Sequence, residues 1–335
     1  MRIQAARFLD FRNIESAHIS FSPRLTALIG QNGQGKTNLL EGLYSVAALR
    51  PLRSVPRPNL IRSGAAFAEV ETTVESGTTG LVHKLAVRLD ARGRTLSKDE
   101  KRSEAASFLG HLVAVSFTPD DLEISKGGPD ARRRFLDRAI LNTRPAYLER
   151  ALRYARAVKA RNKLLQSNAD PALLDAYDEA VAQPGAELTA HRAASVRLLG
   201  PRGVQIFSEI ARPAPELKVE YASSIGEAGE GVAELTNRFR EALARRRKHD
   251  LLRKTTSLGP HLDDLQLTLG GASTRLRASQ GQHQCTEQLF HSIEPLQGQV
   301  VLTTTDEQHL EGLRPLLGHA PLKYAVAGGV VSTWP

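Results

Sequence analysis

The sequence predicts an α/β fold in two parts: a head built from both ends of the chain, and a helical lobe inserted between them. Strand-like alternation of apolar and polar residues fills the N-terminal third and returns after Ser257. Between these, from about 127 to 254, the pattern changes to helical spacing with a strong basic bias. The third observation is a glycine-rich octet, Gly30-Gln31-Asn32-Gly33-Gln34-Gly35-Lys36-Thr37, set between a short apolar run and a helical one. These features place the head at residues 1–126 and 255–335 and the lobe at 127–254.

The runs Arg2 to Phe8 and Ser16 to Phe21 read as two strands joined by a turn that carries Arg12 and Asn13. Leu25 to Ile29 is a third strand leading into the octet, and Asn38 to Val46 is the helix leaving it, with apolar residues at 39, 40, 43, 44 and 46. The octet satisfies G-x-x-x-x-G-K-[ST] at every fixed position, in the strand–loop–helix context the motif requires. Glycines let backbone N–H groups turn inward around phosphates, and the positive end of the following helix faces them. Lys36 then reaches the outer phosphates of a nucleoside triphosphate, and the Thr37 hydroxyl is suited to Mg2+. Arg12 and Asn13 lie near the loop, where they either approach the nucleotide or form a solvated turn.

Residues Arg50 to Asn59 hold three prolines and three arginines and read as a basic, irregular loop. Ala68 to Val74 and Lys84 to Leu89 form an antiparallel pair, and Leu112 to Phe117 is a further strand before Asp120-Asp121. In the lobe, Leu148, Ala151, Leu152, Ala155 and Val158 form an apolar stripe, with Arg150, Arg153 and Arg156 on other faces. Helical patterns follow through Leu173 to Val181 and Ala186 to Leu199, broken by Pro184-Gly185, and through Val232 to Leu252. Leu265 to Leu269 and Val300 to Thr305 are strands, and Lys323 to Val331 is a terminal hairpin.

The chain has 335 residues, formal net charge +9 and a pI of about 9.8, which favours a polyanionic partner, nucleic acid before membrane. One cysteine, Cys285, excludes an internal disulfide. With no apolar leader and no membrane-length apolar run, the expected setting is the cytoplasm.

Taken together, these segments resemble the RecF family of bacterial recombination proteins. The resemblance is carried by Phe11-Arg-Asn13, the loop Gly30 to Thr37 continuing to Glu41, Phe117 to Leu122 and Lys126 to Pro129. It continues through Arg132 to Asp137, Gly259 to Asp264, Ala278 to Gln282 and Gln299 to Asp306, in the family's order. It implies an ABC-type ATPase head with a mixed sheet, related to SMC heads, and an inserted α-helical lobe. It implies that ATP is held with Mg2+ between the P-loop of one subunit and the signature Ser279-Gln280-Gly281-Gln282 of another, in an ATP-dependent homodimer. The implied partners are single-stranded DNA and its junctions with duplex, together with RecO and RecR. The implied role is assistance in loading RecA, in replication restart and in the SOS response.

One departure is large. Such a head has a Walker B strand ending in an acidic pair after the signature helix, then another helix before the strand at Val300. Only 17 residues, His283 to Gln299, separate the two here. A helix, a strand, a second helix and their connections need roughly 30 or more. Asp306-Glu307, Asp120-Asp121 and Asp263-Asp264 are the acidic pairs available as substitutes, and each reads as structural. The expected activity is therefore ATP binding with very slow hydrolysis, the alternative being a hydrolysis-dead DNA-binding scaffold; no catalytic residue is assigned. Lobe and signature argue against a P-loop small-molecule kinase, and the lack of a membrane partner motif against a transporter ATPase.

Overall fold

The computed structural model describes the chain except residues 54, 168–169, 212–214, 227–230, 275–297, 309, 311–320 and 335, and the side chains of 171 and 210. It divides into two compact units, Met1–Phe117 with Thr286–Pro335, and Thr118–Cys285.

In the first unit, β1 (Arg2–Phe11), β2 (Ile14–Ser20) and β3 (Leu25–Ile29) lead into α1 (Lys36–Ala48). Next come β4 (Phe67–Glu75), β5 (Val82–Asp90), β6 (Arg94–Lys98), β7 (Lys101–Arg102) and the short α2 (Ala105–Phe108). An antiparallel sheet runs β2-β1-β4-β5-β6-β7. Its alternation buries Phe8, Ile19, Val70, Leu85 and Val87 against Leu39, Leu43 and Val46 of α1. Every residue of β3 is buried, as befits a strand covered on both faces.

In the second unit lie α3 (Glu123–Lys126), α4 (Pro129–Thr143), α5 (Tyr147–Gln166), α6 (Pro171–Ile210), β8 (Leu217–Ala222), α7 (Val232–Arg253), β9 (Asp264–Leu269) and β10 (Ala272–Ser273). The helices share a core of Leu136, Ile140, Tyr154, Val181, Leu188, Leu235, Phe239 and Leu243. Alongside them β8, β9 and β10 make an antiparallel sheet.

Two helical expectations are corrected here. The predicted break at Pro184-Gly185 is absent: α6 runs 40 residues through both Pro184 and Pro201. A proline inside a helix costs about 3 kcal/mol, and burial of Val181, Ala182, Ala186 and Leu188 around it offsets that. Gly185 is part of the reason, since a Cβ there would stand 2.3 Å from Phe239 Cε1, so only glycine lets α6 lie this close to α7. On α5 the buried stripe is Tyr147, Tyr154, Val158, Arg161 and Leu165, whereas Leu152 is 48% exposed. The tyrosines are sunk because their hydroxyls find acceptors, Tyr147 on Asp137 and Tyr154 on His261, both at 2.6 Å.

Arg161 is buried by charge pairing. Its guanidinium donates to Asp178 at 2.6 Å, to Asp250 at 2.8 Å and to Thr256 at 3.0 Å, and both carboxylates are themselves buried.

The chain returns to the first unit through β11 (Val300–Thr304), β12 (Leu322–Ala327) and β13 (Val330–Thr333). The second sheet of that unit runs β11-β3-β12-β13, with β3 parallel to both neighbours. Among the described residues β11 is therefore an edge. Leu112 to Phe117, expected as a strand, pairs with no strand among the described residues, with Val115 91% and Phe117 73% exposed.

Candidate functional site

The site is built where β3 ends and α1 begins. Gly35 takes φ +113°, a left-handed conformation that side chains resist, and a Cβ there would meet Asn13 Oδ1 at 2.8 Å. No side chain caps the N-terminus of α1, so its first N–H groups remain available to an anion. Lys36 is buried, and burial lowers its pKa. Its Nζ donates to the carbonyls of Gly30 at 2.6 Å and Gln31 at 2.8 Å, bonds that an incoming phosphate can replace. Thr37 is exposed at the rim, and its hydroxyl makes no hydrogen bond among the described residues.

Arg12 and Asn13 brace this loop from outside. Asn13 Nδ2 donates to the Gln34 carbonyl at 3.2 Å, and its Oδ1 accepts from Asn38 at 2.8 Å. Arg12 donates from Nε to Glu41 at 2.9 Å and from Nη1 to the Asn59 carbonyl at 2.9 Å. The turn between β12 and β13 holds the loop from the other side, Gly328 N donating to Gln34 Oε1 at 2.6 Å and Gly329 N to the Gln34 carbonyl at 2.9 Å.

The resulting cavity has a volume of about 540 Å3 and is lined by Asn32 to Asn38, Arg53 and Thr303 to Thr305. Arg53 is the residue sequence reasoning missed as a site member. It lies in the proline-rich loop, whose irregular spacing carries no periodic signal. Its Nη2 donates to Asn38 Oδ1 at 2.7 Å and to Glu41 Oε2 at 3.0 Å, while its Nε is buried without an acceptor among the described residues. Glu41, wholly buried in α1, was the available clue: a buried carboxylate requires cations, and Arg12 and Arg53 supply them.

Free N–H groups, a buried ammonium, a guanidinium with a spare donor and an exposed hydroxyl form a donor set for a polyphosphate. Thr37 is the one hydroxyl of the loop suited to Mg2+. No carboxylate lines the cavity among the described residues.

Of the carboxylates weighed as a substitute base, all but the exposed Asp120 are engaged in bonds. Glu307 accepts from Lys323 Nζ and, at 2.9 Å, from Trp334 Nε1, while Asp306 Oδ1 accepts from Gln308 N at 2.9 Å. Asp121 accepts from Thr118 N at 2.7 Å in a capping box beside Asp120. Asp263 accepts from Tyr221 at 2.6 Å and Ser224 at 2.7 Å, and Asp264 holds Arg132 through two bonds of 2.8 Å. The signature Ser279 to Gln282 lies outside the described residues.

A scan against models of known protein families finds no match. Over 288 residues the chain is 42% identical to the DNA replication and repair protein RecF of Myxococcus xanthus (strain DK1622), covering 84% of this chain and 75% of that protein. It is 36% identical to the protein of the same name from Anaeromyxobacter sp. (strain Fw109-5), covering 99% of each. That alignment spans 371 residues against the 335 of this chain, so it contains positions with no counterpart here. In fold, the chain matches a structure of the recombination mediator protein RecF-ATPrS in the RecFOR pathway, with TM-score 0.86 at 22% identity over 100% of this chain and 98% of that one. It also matches an SmcHead bound to the C-winged helix domain of ScpA, with TM-score 0.50 at 13% identity over 100% of this chain and 97% of that one. These structural likenesses concern the ABC-type head fold.

Proposed function

The chain belongs to the RecF family, and on that premise we propose that it is an ATP-binding DNA repair and recombination protein that hydrolyses ATP very slowly or not at all. The observation that carries this is the cavity itself: lysine, arginine, threonine and loop N–H groups, with no carboxylate on its walls among the described residues. Lys36 and Arg53 neutralise phosphate charge, and the α1 N-terminus and Gly35 fix the phosphates in place. The Thr37 hydroxyl would hold Mg2+, which would supply charge neutralisation at the outer phosphates. Activation of a water needs a base within hydrogen-bond reach, and Asp306, Glu307, Asp121, Asp263 and Asp264 are all held in structural bonds.

In this reading ATP governs formation of a homodimer, with the P-loop of one copy facing Ser279 to Gln282 of the other. The dimer binds single-stranded DNA and junctions with duplex, and works with RecO and RecR to assist RecA loading during replication restart and the SOS response. The protein acts in the cytoplasm; among the described residues no helix is long and apolar enough to cross a membrane. That no described residue brings a carboxylate to the cavity also supports a second reading, a DNA-binding scaffold of the same family with no turnover at all.

Calorimetry and sizing in ATP, with a steady-state hydrolysis assay, test both. Wild type is expected to bind ATP and to dimerise in it. Lys36→Ala is expected to weaken binding at least tenfold, as loss of a charge-assisted bond of about 1.5–3 kcal/mol implies. Turnover is expected at background in both proteins, and a wild-type rate that drops tenfold in Lys36→Ala would establish genuine catalysis and overturn the slow-hydrolysis reading.

A further inference from the structure

The second unit carries a cleft that the nucleotide site does not use. It has a volume of about 540 Å3, within the range of roughly 300–1,000 Å3 usual for ligand pockets, and lies along α5 beside His261. Its floor is neutral and internally satisfied. Tyr154 donates to His261 Nδ1 at 2.6 Å, and the other ring nitrogen donates to the Thr256 carbonyl at 3.2 Å, so the imidazole is the neutral Nε2–H tautomer. Burial, which lowers the His261 pKa, favours the same form. Val158 and Ala155 complete an apolar base.

The rim is cationic. Several arginines of this unit are committed to carboxylates: Arg150 to Glu187, Arg192 to Asp137, Arg247 to Asp175 and Asp178, Arg132 to Asp264. Lys159 and Lys163, one helical turn apart, are exposed and make no ion pair or hydrogen bond among the described residues. Asn162 lies between them. Its Oδ1 is taken by the N–H and hydroxyl of Thr256, at 2.8 and 2.7 Å, which turns its Nδ2 donors away from that bond. An apolar, uncharged floor with two free ammonium groups and an amide donor at its edge matches one chemistry: a flat base below, phosphodiester oxygens above.

We propose that this cleft seats a nucleotide unit of single-stranded DNA, its flanking phosphates on Lys159 and Lys163 and its base against Ala155 and Val158. The proposal rests on the DNA-binding reading above and adds a location to it.

Full-length protein, a labelled oligothymidylate and a duplex of equal length, followed by anisotropy across a salt series, provide the test. Each phosphate contact on a single strand contributes about 0.7 to the slope of log K against log salt, so Lys159→Ala/Lys163→Ala should flatten the slope by about 1.4. Ala155→Trp, which fills the cleft and keeps both lysines, should weaken single-strand binding several-fold and leave duplex binding unchanged. Arg246→Ala/Lys248→Ala removes the same charge from exposed positions of α7 and should flatten the slope by less than half as much. An unchanged slope in the lysine pair, with wild type still binding DNA, would refute the cleft and leave the DNA reading intact. An equal effect from the α7 pair would also refute it, since long-range charge would then suffice. Binding of thymidine monophosphate alone that Ala155→Trp abolishes, with strand binding unaffected, would make it a small-molecule site and overturn the proposal. A wild type that binds no DNA at all would overturn both readings together.

Discussion

Asp250 has no exposed surface, and its carboxylate takes Nη1 of the equally buried Arg161 at one oxygen and the N–H of Ser257 at the other. Removing one partner of such a pair strands the other charge in a medium that cannot solvate it, at a cost of about 3–5 kcal/mol. Arg161→Ala, which leaves Asp250 buried without its guanidinium, is therefore expected to lose that much stability in urea titration of the second unit, whereas an exposed pair such as Arg245–Glu241 should contribute less than about 1 kcal/mol. The same logic explains which site residues can be read from sequence. Gly30 to Thr37 are legible because phosphate chemistry dictates both residue type and spacing. Arg53 is not, because its place depends on Glu41, a carboxylate buried in a helix whose other faces are apolar, and nothing in its own neighbourhood announces that partner.

Elements were legible where period and burial coincide. β1, β2, β4 and β5 each bury one face, and their alternation shows it. β8 was missed: Leu217 to Ala222 is half-buried with charges at Lys218 and Glu220, and its partner β9 lies more than forty residues on. The stripe expected on α5 differs from the buried one because hydroxyl bonds sink Tyr147 and Tyr154 and ion pairing sinks Arg161, none of which apolar spacing registers. Leu112 to Phe117 has strand composition but no strand partner among the described residues. β11 has one strand neighbour, β3, among the described residues. Val300 N donates to the Arg24 carbonyl, so by the alternation of a parallel ladder Leu302 and Thr304 also face β3, and Val301 and Thr303 point outward. Hydrogen exchange is expected to be fast at the amides of Val301 and Thr303 and slow at those of Leu302 and Thr304. Equal protection along the strand would mean that a further strand covers this edge.

Across the whole molecule, three histidines respond to pH in the same direction. Burial holds His111, His191 and His261 below the usual value of 6.5, assisted by Lys98 at His111 and by Arg150 and Arg144 at His191. A lowered folded-state pKa means that, as pH falls through about 6.5, the unfolded chain takes up protons that the folded chain refuses. The stability these groups contribute is complete above that value and is lost below it. The melting temperature should fall between pH 7.5 and 5.5, and His261→Gln should flatten the decline, because His261 is the most deeply buried of the three. The grip of Gly328 and Gly329 on Gln34 has a further consequence, one of timing. During synthesis the P-loop leaves the ribosome early, but the strands that flank β3 and the turn that clasps Gln34 come from residues 300 to 333, on the order of tens of seconds later. The second unit, Thr118–Cys285, is continuous in the chain and has all its parts before then. The nascent protein thus completes its inserted lobe first, while the nucleotide cradle waits for the last strands to arrive.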